Sequence, residues 1–164
     1  MTNQSSVAMI TGGAGGIGEA TAQALATRGM RVVIADLRAD AANATAARLE
    51  SAGHQALAVA LDITSESSVR DAVAKTLDTW GRIDVLINNA GTESSKPFLE
   101  IGLDEFERVM RINTTGAWLC CQAVIPLMLE QNRGSIVNVS SVAGQRGGGL
   151  LGTAAYSTSK GRSE

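Results

Sequence analysis

Short runs of apolar residues alternate along this chain with longer segments whose apolar residues recur at helical spacing. The short runs are nearly continuous in apolar side chains, which is typical of strands that a parallel sheet buries on both faces. Strands that alternate with helices through right-handed crossovers form a doubly wound α/β fold. The predicted strands cover residues 7–11, 32–35, 56–60, 85–88 and 136–139.

The segments that separate these strands predict helices. In the first helix we expect Ala20, Ala24 and Leu25 to face the core. The fourth helix is expected to be irregular near Asn113 and Gly116, because both residue types are poor helix formers. The predicted helices cover residues 17–27, 39–51, 65–80, 103–131 and, after the last strand, 155–164.

Composition is that of an ordinary globular domain. The 164 residues are 45% hydrophobic and 18% charged, and the net charge of −2 favours neither nucleic acid nor a membrane surface. No stretch approaches the ~18 consecutive apolar residues of a membrane span, and the polar N-terminus does not resemble a signal peptide. The neighbours Cys120 and Cys121 are typical of core side chains in a reducing compartment, so a cytoplasmic protein is predicted. No residue cluster has the spacing of metal ligands, and His54 is expected to be solvated.

A glycine-rich run, from Thr11 to Gly18, lies where the first strand ends and the first helix begins. Glycines at such a junction let the backbone approach a pyrophosphate closely, and the helix N-terminus supplies N–H donors and a favourable dipole. A glycine run can also be a flexible turn. Its place between a strand and a helix favours a dinucleotide phosphate site.

Two aspartates follow the next two strands. Asp36 closes the second strand, where a carboxylate accepts hydrogen bonds from the adenosine ribose hydroxyls. A carboxylate would repel a 2′-phosphate, so NAD is predicted over NADP, although Arg38 offers such a phosphate a positive partner. Asp62 follows the third strand and is expected to bind the adenine amino group. The alternative for each aspartate is a turn residue without a ligand.

The order of five motifs resembles the short-chain dehydrogenase/reductase family. The likeness runs from about Val7 to Lys160. It implies a Rossmann-like doubly wound parallel sheet with the strand order 3-2-1-4-5, in one dinucleotide-binding domain over residues 1–164. Because the last helix has only begun when the chain ends, we also expect the family's C-terminal part to be missing, with the fold truncated after the fifth strand. The motifs are Thr11-Gly12-x-x-x-Gly16-x-Gly18, Asn88-Asn89-Ala90-Gly91, Asn113, Ser140-Ser141 and Tyr156-x-x-x-Lys160.

The resemblance implies a hydride transfer between NAD(H) and a small alcohol or carbonyl compound, and a homo-oligomer if the C-terminal part is present. Asn113, Ser141, Tyr156 and Lys160 match the catalytic tetrad. Ser141 is preferred to Ser140 because, as in the family, it directly precedes a small apolar pair and a glycine. The implied cofactor-binding residues are Gly12, Gly16, Ile17, Gly18, Asp36, Asp62, Ile63, Asn89, Ala90, Gly91, Tyr156 and Lys160.

The spacing of Tyr156 and Lys160 agrees with this chemistry. Residues four apart share one face of a helix. A free tyrosine has a pKa near ~10, and a neighbouring ammonium stabilises the phenolate. An exposed helix face also explains such pairs, and the corresponding alternatives are a turn serine at Ser141 and a surface asparagine at Asn113.

Two other functions remain open. One is a nucleotide-binding fragment that does not turn over, because the family's substrate loop would lie beyond the end of this chain. The other is a scaffold that assembles with related subunits through the long helix at 103–131. The complete tetrad favours the enzyme, and the missing C-terminal part favours the fragment.

Overall fold

The computed structural model describes residues 5–147 and 154–161. All the predicted strands are present within about a residue of their predicted bounds. They are β1 Val7–Thr11, β2 Arg31–Asp36, β3 Ala56–Ala60, β4 Val85–Asn88 and β5 Ser135–Asn138. They form one sheet in the order β3-β2-β1-β4-β5, and every pairing is parallel. The predicted strand order is confirmed.

Helices connect the strands. The helix predicted over 103–131 is continuous from Leu103 to Glu130 and contains a π-helical turn, Arg111–Thr115, at the predicted irregularity. A short 3-10 helix, Phe98–Glu100, precedes it. The last helix ends at Lys160, so its predicted continuation is wrong at Gly161, and residues 162–164 lie outside the described residues. The helices are α1 Gly16–Thr27, α2 Ala39–Ser51, α3 Glu66–Trp80, α4 Leu103–Met110, α5 Gly116–Glu130, α6 Ala143–Arg146 and α7 Ala154–Lys160.

The inner strands β1, β2 and β4 are buried on both faces, as the continuous apolar runs predict, whereas the edge strand β5 is mostly exposed. Side chains alternate between the faces of a strand. In β1, Val7 and Met9 therefore join the core layer that contains residues of α3 and α5. Ala8 and Ile10 join the opposite layer, which contains residues of α1 and α2.

The predicted inner face of α1 is wrong at two of its three positions. Ala20 and Ala24 are exposed, and Leu25 is half-buried against the core. The buried row is Gly18, Ala22 and Ala26. The row follows from the first turn of the helix: Gly18 packs against the glycine turn, and residues four apart continue on the same side.

The long helix passes the length and composition test for a membrane span, with a mean hydropathy of 1.3 over an 18-residue window. The core helix of a globular protein passes the same test. Cys120 and Val124 lie in the core, and burial raises the pKa of the Cys120 thiol to about 12. Trp118 and Leu129 on the outer face are exposed. The absence of a membrane partner stays a prediction.

Asp84, just before β4, ties the amino ends of three strands together. It is only 4% exposed. Its carboxylate accepts hydrogen bonds from the Val7 N–H (2.8 Å) and twice from Arg82 (2.6 and 2.8 Å), and it pairs with Arg133 at 3.0 Å. Its backbone carbonyl accepts the Ser135 N–H at 2.9 Å. Burial alone would raise the pKa of Asp84, but these hydrogen bonds and both arginine charges outweigh it and hold the pKa below its usual value.

Replacing Asp84 by asparagine is expected to destabilise the fold by about 1–3 kcal/mol, because the Val7 N–H and the Arg82 guanidinium lose a charged acceptor while water reaches both arginines. Urea unfolding measures the loss. Asp78→Asn, at an exposed position of α3, is the matched control and should change stability by less than about 0.5 kcal/mol.

The same pair of proteins tests the pH dependence. Because the folded pKa of Asp84 is lowered, its contribution is complete above the unfolded value of ~3.9 and is lost as the pH falls through the folded value. The stability difference between wild type and Asp84→Asn should therefore shrink in acid. A difference that stays constant as the pH falls would contradict this role.

Candidate active site

The glycine turn packs tightly against the end of β4. Gly12 has a positive φ of 62°, and a Cβ there would lie 2.9 Å from Ala90 Cα. A Cβ on Gly18 would overlap the Gly12 carbonyl oxygen and lie 2.7 Å from Asn89 Nδ2. The two glycines are therefore required by close backbone approach as well as by the turn.

Thr11 and Asn89 hold this contact with reciprocal hydrogen bonds. Asn89 Nδ2 donates to the carbonyls of Thr11 and Gly12, both at 3.0 Å. The Thr11 hydroxyl oxygen accepts the N–H groups of Asn89 and Ala90, both at 3.1 Å. No role was predicted for Thr11. The sequence feature that could have indicated one is its position at the end of a buried strand, directly before the glycines.

Asp36 joins the end of β2 to the same turn. It is 8% exposed, and its oxygens accept the N–H groups of Ala14 and Arg38, each at 3.1 Å. The Arg38 guanidinium lies 3.6 Å away, and its side chain is 67% exposed. Each carboxylate oxygen keeps a further lone pair for a ligand.

Asp62 forms a turn with Thr64, as the alternative interpretation predicts, and it also lines a cavity at the carboxyl edge of the sheet. Its Oδ1 accepts the N–H of Thr64 at 2.8 Å and the hydroxyl of Thr64 at 2.7 Å. These bonds lower the pKa of Asp62. Ile63 is buried below it, and a Cβ on Gly116 would lie 2.6 Å from Ile63 Cδ1.

These residues surround a cavity of about 870 Å³ at the carboxyl edge of the sheet. Its size is in the range of ligand sites. Four predicted residues are not among those that line it: Gly18 lies behind the turn, Ile17 is 68% exposed, and Tyr156 and Lys160 lie on α7. The predicted residues that line it are Gly12, Gly16, Asp36, Asp62, Ile63, Asn89, Ala90 and Gly91. Lining residues that were not predicted include Leu37, Thr64, Thr92, Arg108, Arg111 and Ile112.

A second cavity, of about 320 Å³, shares Ala90 with the first and is lined by Asn113 and Lys160. A Cβ on Gly91 would lie 3.2 Å from Asn113 Oδ1 and 3.7 Å from Lys160 Nζ, so both side chains lie against Gly91. The Lys160 ammonium donates to the Val139 carbonyl at 2.7 Å. Burial lowers the pKa of Lys160.

The other two tetrad candidates lie in adjoining elements. Ser141 precedes α6, and its hydroxyl oxygen accepts the Ala143 N–H at 3.2 Å, as the turn interpretation expected. The Ser140 hydroxyl donates to the Lys160 carbonyl at 3.1 Å. Tyr156 is half-buried on α7. In the described part of the chain, no hydrogen bond joins the side chain of Ser141 or Tyr156 to Asn113 or Lys160.

A parallel sheet with a glycine-lined cavity at the carboxyl ends of its central strands defines a doubly wound α/β protein of the Rossmann-like class. The sequence model of the short chain dehydrogenase family matches residues 6–162. The chain therefore belongs to this family, as the motifs predict.

Named relatives agree with this assignment. The chain is 44% identical over 146 residues to a sorbitol dehydrogenase of Cereibacter sphaeroides, covering 88% of this chain and 56% of that protein. It is 42% identical over 155 residues to a 3-oxoacyl-[acyl-carrier-protein] reductase of Synechocystis sp., covering 94% and 62%. An NAD⁺-bound xylitol dehydrogenase superimposes with a TM-score of 0.89 at 37% identity, covering 97% and 61%. The chain thus spans about 60% of the length of these proteins.

The contact between Gly18 and Gly12 generates a prediction. Gly18→Ala should destabilise the fold by roughly 1–3 kcal/mol, because the methyl group overlaps backbone in a packed site. It should also weaken ADP-ribose binding, since the turn must move. Thermal unfolding and calorimetric titration measure the two effects.

Gly15→Ala is the matched control for stability within the same turn. Gly15 has an extended φ of −171°, and a Cβ there would meet only Arg38 Nη2, at 3.9 Å. Equal losses of stability in the two variants would show that the close approach of Gly18 is unimportant.

Proposed function

We propose that this protein is an oxidoreductase that transfers a hydride between NAD(H) and a small alcohol or carbonyl compound. The observation that carries the proposal is the shared wall of the two cavities: Ala90 borders both the glycine-lined cavity and the one lined by Asn113 and Lys160. A dinucleotide in the first cavity would have its reactive end near the polar groups of the second.

Asp36 supports NAD over NADP. Its carboxylate is buried at the edge of the glycine turn and keeps lone pairs for ribose hydroxyls, whereas a 2′-phosphate would meet its negative charge. Arg38 is the opposing observation, but its guanidinium lies beside this carboxylate, which partly neutralises it.

A bound nicotinamide would accept or supply the hydride, and the protein would move the proton. In the oxidation direction, Tyr156 as phenolate takes the proton of the substrate hydroxyl. Lys160 stabilises the phenolate and binds the nicotinamide ribose, using ammonium hydrogens other than the one donated to Val139.

Two further residues complete the site: one orients the substrate oxygen, and the other binds a water for proton transfer. Ser141 orients the substrate, because its hydroxyl oxygen accepts the Ala143 N–H and leaves the hydroxyl hydrogen to donate. Asn113 Oδ1 accepts the Thr92 N–H at 2.7 Å and keeps one lone pair beside Lys160, which suits a water in a proton relay.

Two rivals follow from other observations. A nucleotide-binding fragment without turnover is favoured by the side chains of Ser141 and Tyr156, which make no hydrogen bond to Asn113 or Lys160 in the described part of the chain. A subunit scaffold is favoured by the exposed Trp118 and Leu129 on the long helix. Binding of ADP-ribose without NADH oxidation would support the fragment, and assembly without ADP-ribose binding would support the scaffold.

The cofactor preference is tested by calorimetric titration with both reduced cofactors. We expect NADH to bind roughly tenfold or more tightly than NADPH, a difference of about 1.4 kcal/mol, because of the charge of Asp36. Arg38→Gln should leave this order unchanged. Tighter binding of NADPH that Arg38→Gln abolishes would assign the site to NADP instead.

Tyr156→Phe tests the acid–base role. In the natural full-length protein, turnover of small carbonyl compounds should fall by roughly 10²–10⁴-fold, while the dissociation constant of NADH stays nearly unchanged. Ser157→Ala, on the same helix, is the control. Near-normal turnover by Tyr156→Phe would exclude this mechanism.

A further inference from the structure

We propose that Ser159 is a positioning residue for Tyr156, joining the π-helical turn of the long helix to the helix that carries the tyrosine. The inference rests on the proposed function of Tyr156 and adds a residue to that site. Three observations support it: the bonding of Asn113, the bonding of Ser159 itself, and the other attachments of α7.

The Asn113 side chain is bound on three sides and is 8% exposed. Its Oδ1 accepts the Thr92 N–H at 2.7 Å, and its Nδ2 donates to the Thr92 carbonyl at 2.8 Å. The second hydrogen of Nδ2 goes to Ser159 Oγ, also at 2.8 Å. An amide has only two donor hydrogens, so both are used. Because Thr92 offers one donor and one acceptor, only one orientation of the amide satisfies it.

Ser159 connects the oriented Asn113 amide to the helical turn that contains Tyr156. Its hydroxyl donates to the Tyr156 carbonyl at 2.7 Å. A hydroxyl has a single hydrogen, and a carbonyl can only accept, so Ser159 must accept from Asn113 and donate to Tyr156. The resulting chain of directed hydrogen bonds runs from Thr92 through Asn113 and Ser159 to Tyr156.

The other polar attachments of α7 lie at its end. Lys160 donates from its ammonium to Val139 and accepts at its carbonyl from Ser140. Within the described residues, the bond between Ser159 and Asn113 is the one side-chain hydrogen bond that joins α7 to the long helix. The described helix has 7 residues, and isolated helices shorter than ~12 residues are marginal, so its placement depends on such contacts.

Ser157 is a matched control on the same helix. It is 8% exposed, and its hydroxyl oxygen has no partner among the described residues. Removing that hydroxyl leaves the link to Asn113 intact. Ser157→Ala and Ser159→Ala therefore make the same chemical change in one short helix, and they differ in whether a bridge is lost.

The test uses the fact that the chain contains one tyrosine. Incorporated 3-fluorotyrosine gives a single ¹⁹F resonance that reports the environment of Tyr156 in the 164-residue chain. This measurement does not require catalytic turnover. We expect Ser159→Ala to move this resonance toward its position in the urea-unfolded chain, while Ser157→Ala and Ser159→Thr leave it in place. If Ser159→Ala does not fold, Ser159→Cys replaces it, because it keeps the side-chain size and weakens the hydrogen bonds.

The second measurement tests whether Ser159 positions Tyr156 or only stabilises the fold. In the natural full-length protein, Ser159→Ala should lower kcat by about 10–100-fold, since a displacement of ~1 Å at a reacting group costs about 10²-fold. The dissociation constant of NADH should stay nearly unchanged, because Lys160 keeps its own hydrogen bonds to Val139 and Ser140. Ser159→Thr should restore kcat. An unshifted ¹⁹F resonance for Ser159→Ala, or for Ser159→Cys where that variant replaces it, would overturn the inference. Normal turnover by Tyr156→Phe would instead overturn the proposed function and leave the ¹⁹F result standing.

Discussion

The contact between the first turn of α1 and the glycine turn determines the geometry of the rest of the site. Gly18 lies so close to the Gly12 carbonyl and to Asn89 that no side chain fits there. This contact sets which row of α1 faces the sheet and brings the helix N-terminus to the cavity. Since Asn89 also binds Thr11 and Gly12, the same contact joins the carboxyl ends of β1 and β4. The cavity exists because these backbones meet without side chains between them.

A second set of polar contacts extends this order away from the glycine turn. Gly91 and Thr92 follow directly after Asn89 and Ala90. The Thr92 N–H and carbonyl both form hydrogen bonds with the Asn113 side chain. Asn113 then reaches α7 through Ser159. The placement of α7 therefore depends in part on a path that begins at the sheet edge, follows the backbone to Thr92 and continues through hydrogen bonds of 2.7–2.8 Å to the helix.

Structural roles and proposed ligand-binding roles coincide in several of these side chains. Asp62 closes a turn with Thr64 and lines the larger cavity, and Asp36 holds Ala14 while keeping lone pairs that face the same cavity. A carboxylate accepts several hydrogen bonds, so the turn interpretation and the ligand interpretation of such a residue are compatible. Asn113 is the limiting case, because its two donor hydrogens are spent within the protein.

The sequence alone determined the class of the fold and the place of the glycine turn, because continuous apolar runs, helical periodicity and glycine spacing are properties of single segments. It did not determine the inner face of α1, where Ala20 and Ala24 are exposed, because that face depends on a backbone contact made elsewhere. The hydrogen-bond partners of Thr11 and Ser159 were also decided only by the tertiary structure, because they lie 78 and 46 residues away in the chain. The pairing of β1 with β4 brings Thr11 to Asn89, and the packing of α7 against the π-helical turn brings Ser159 to Asn113.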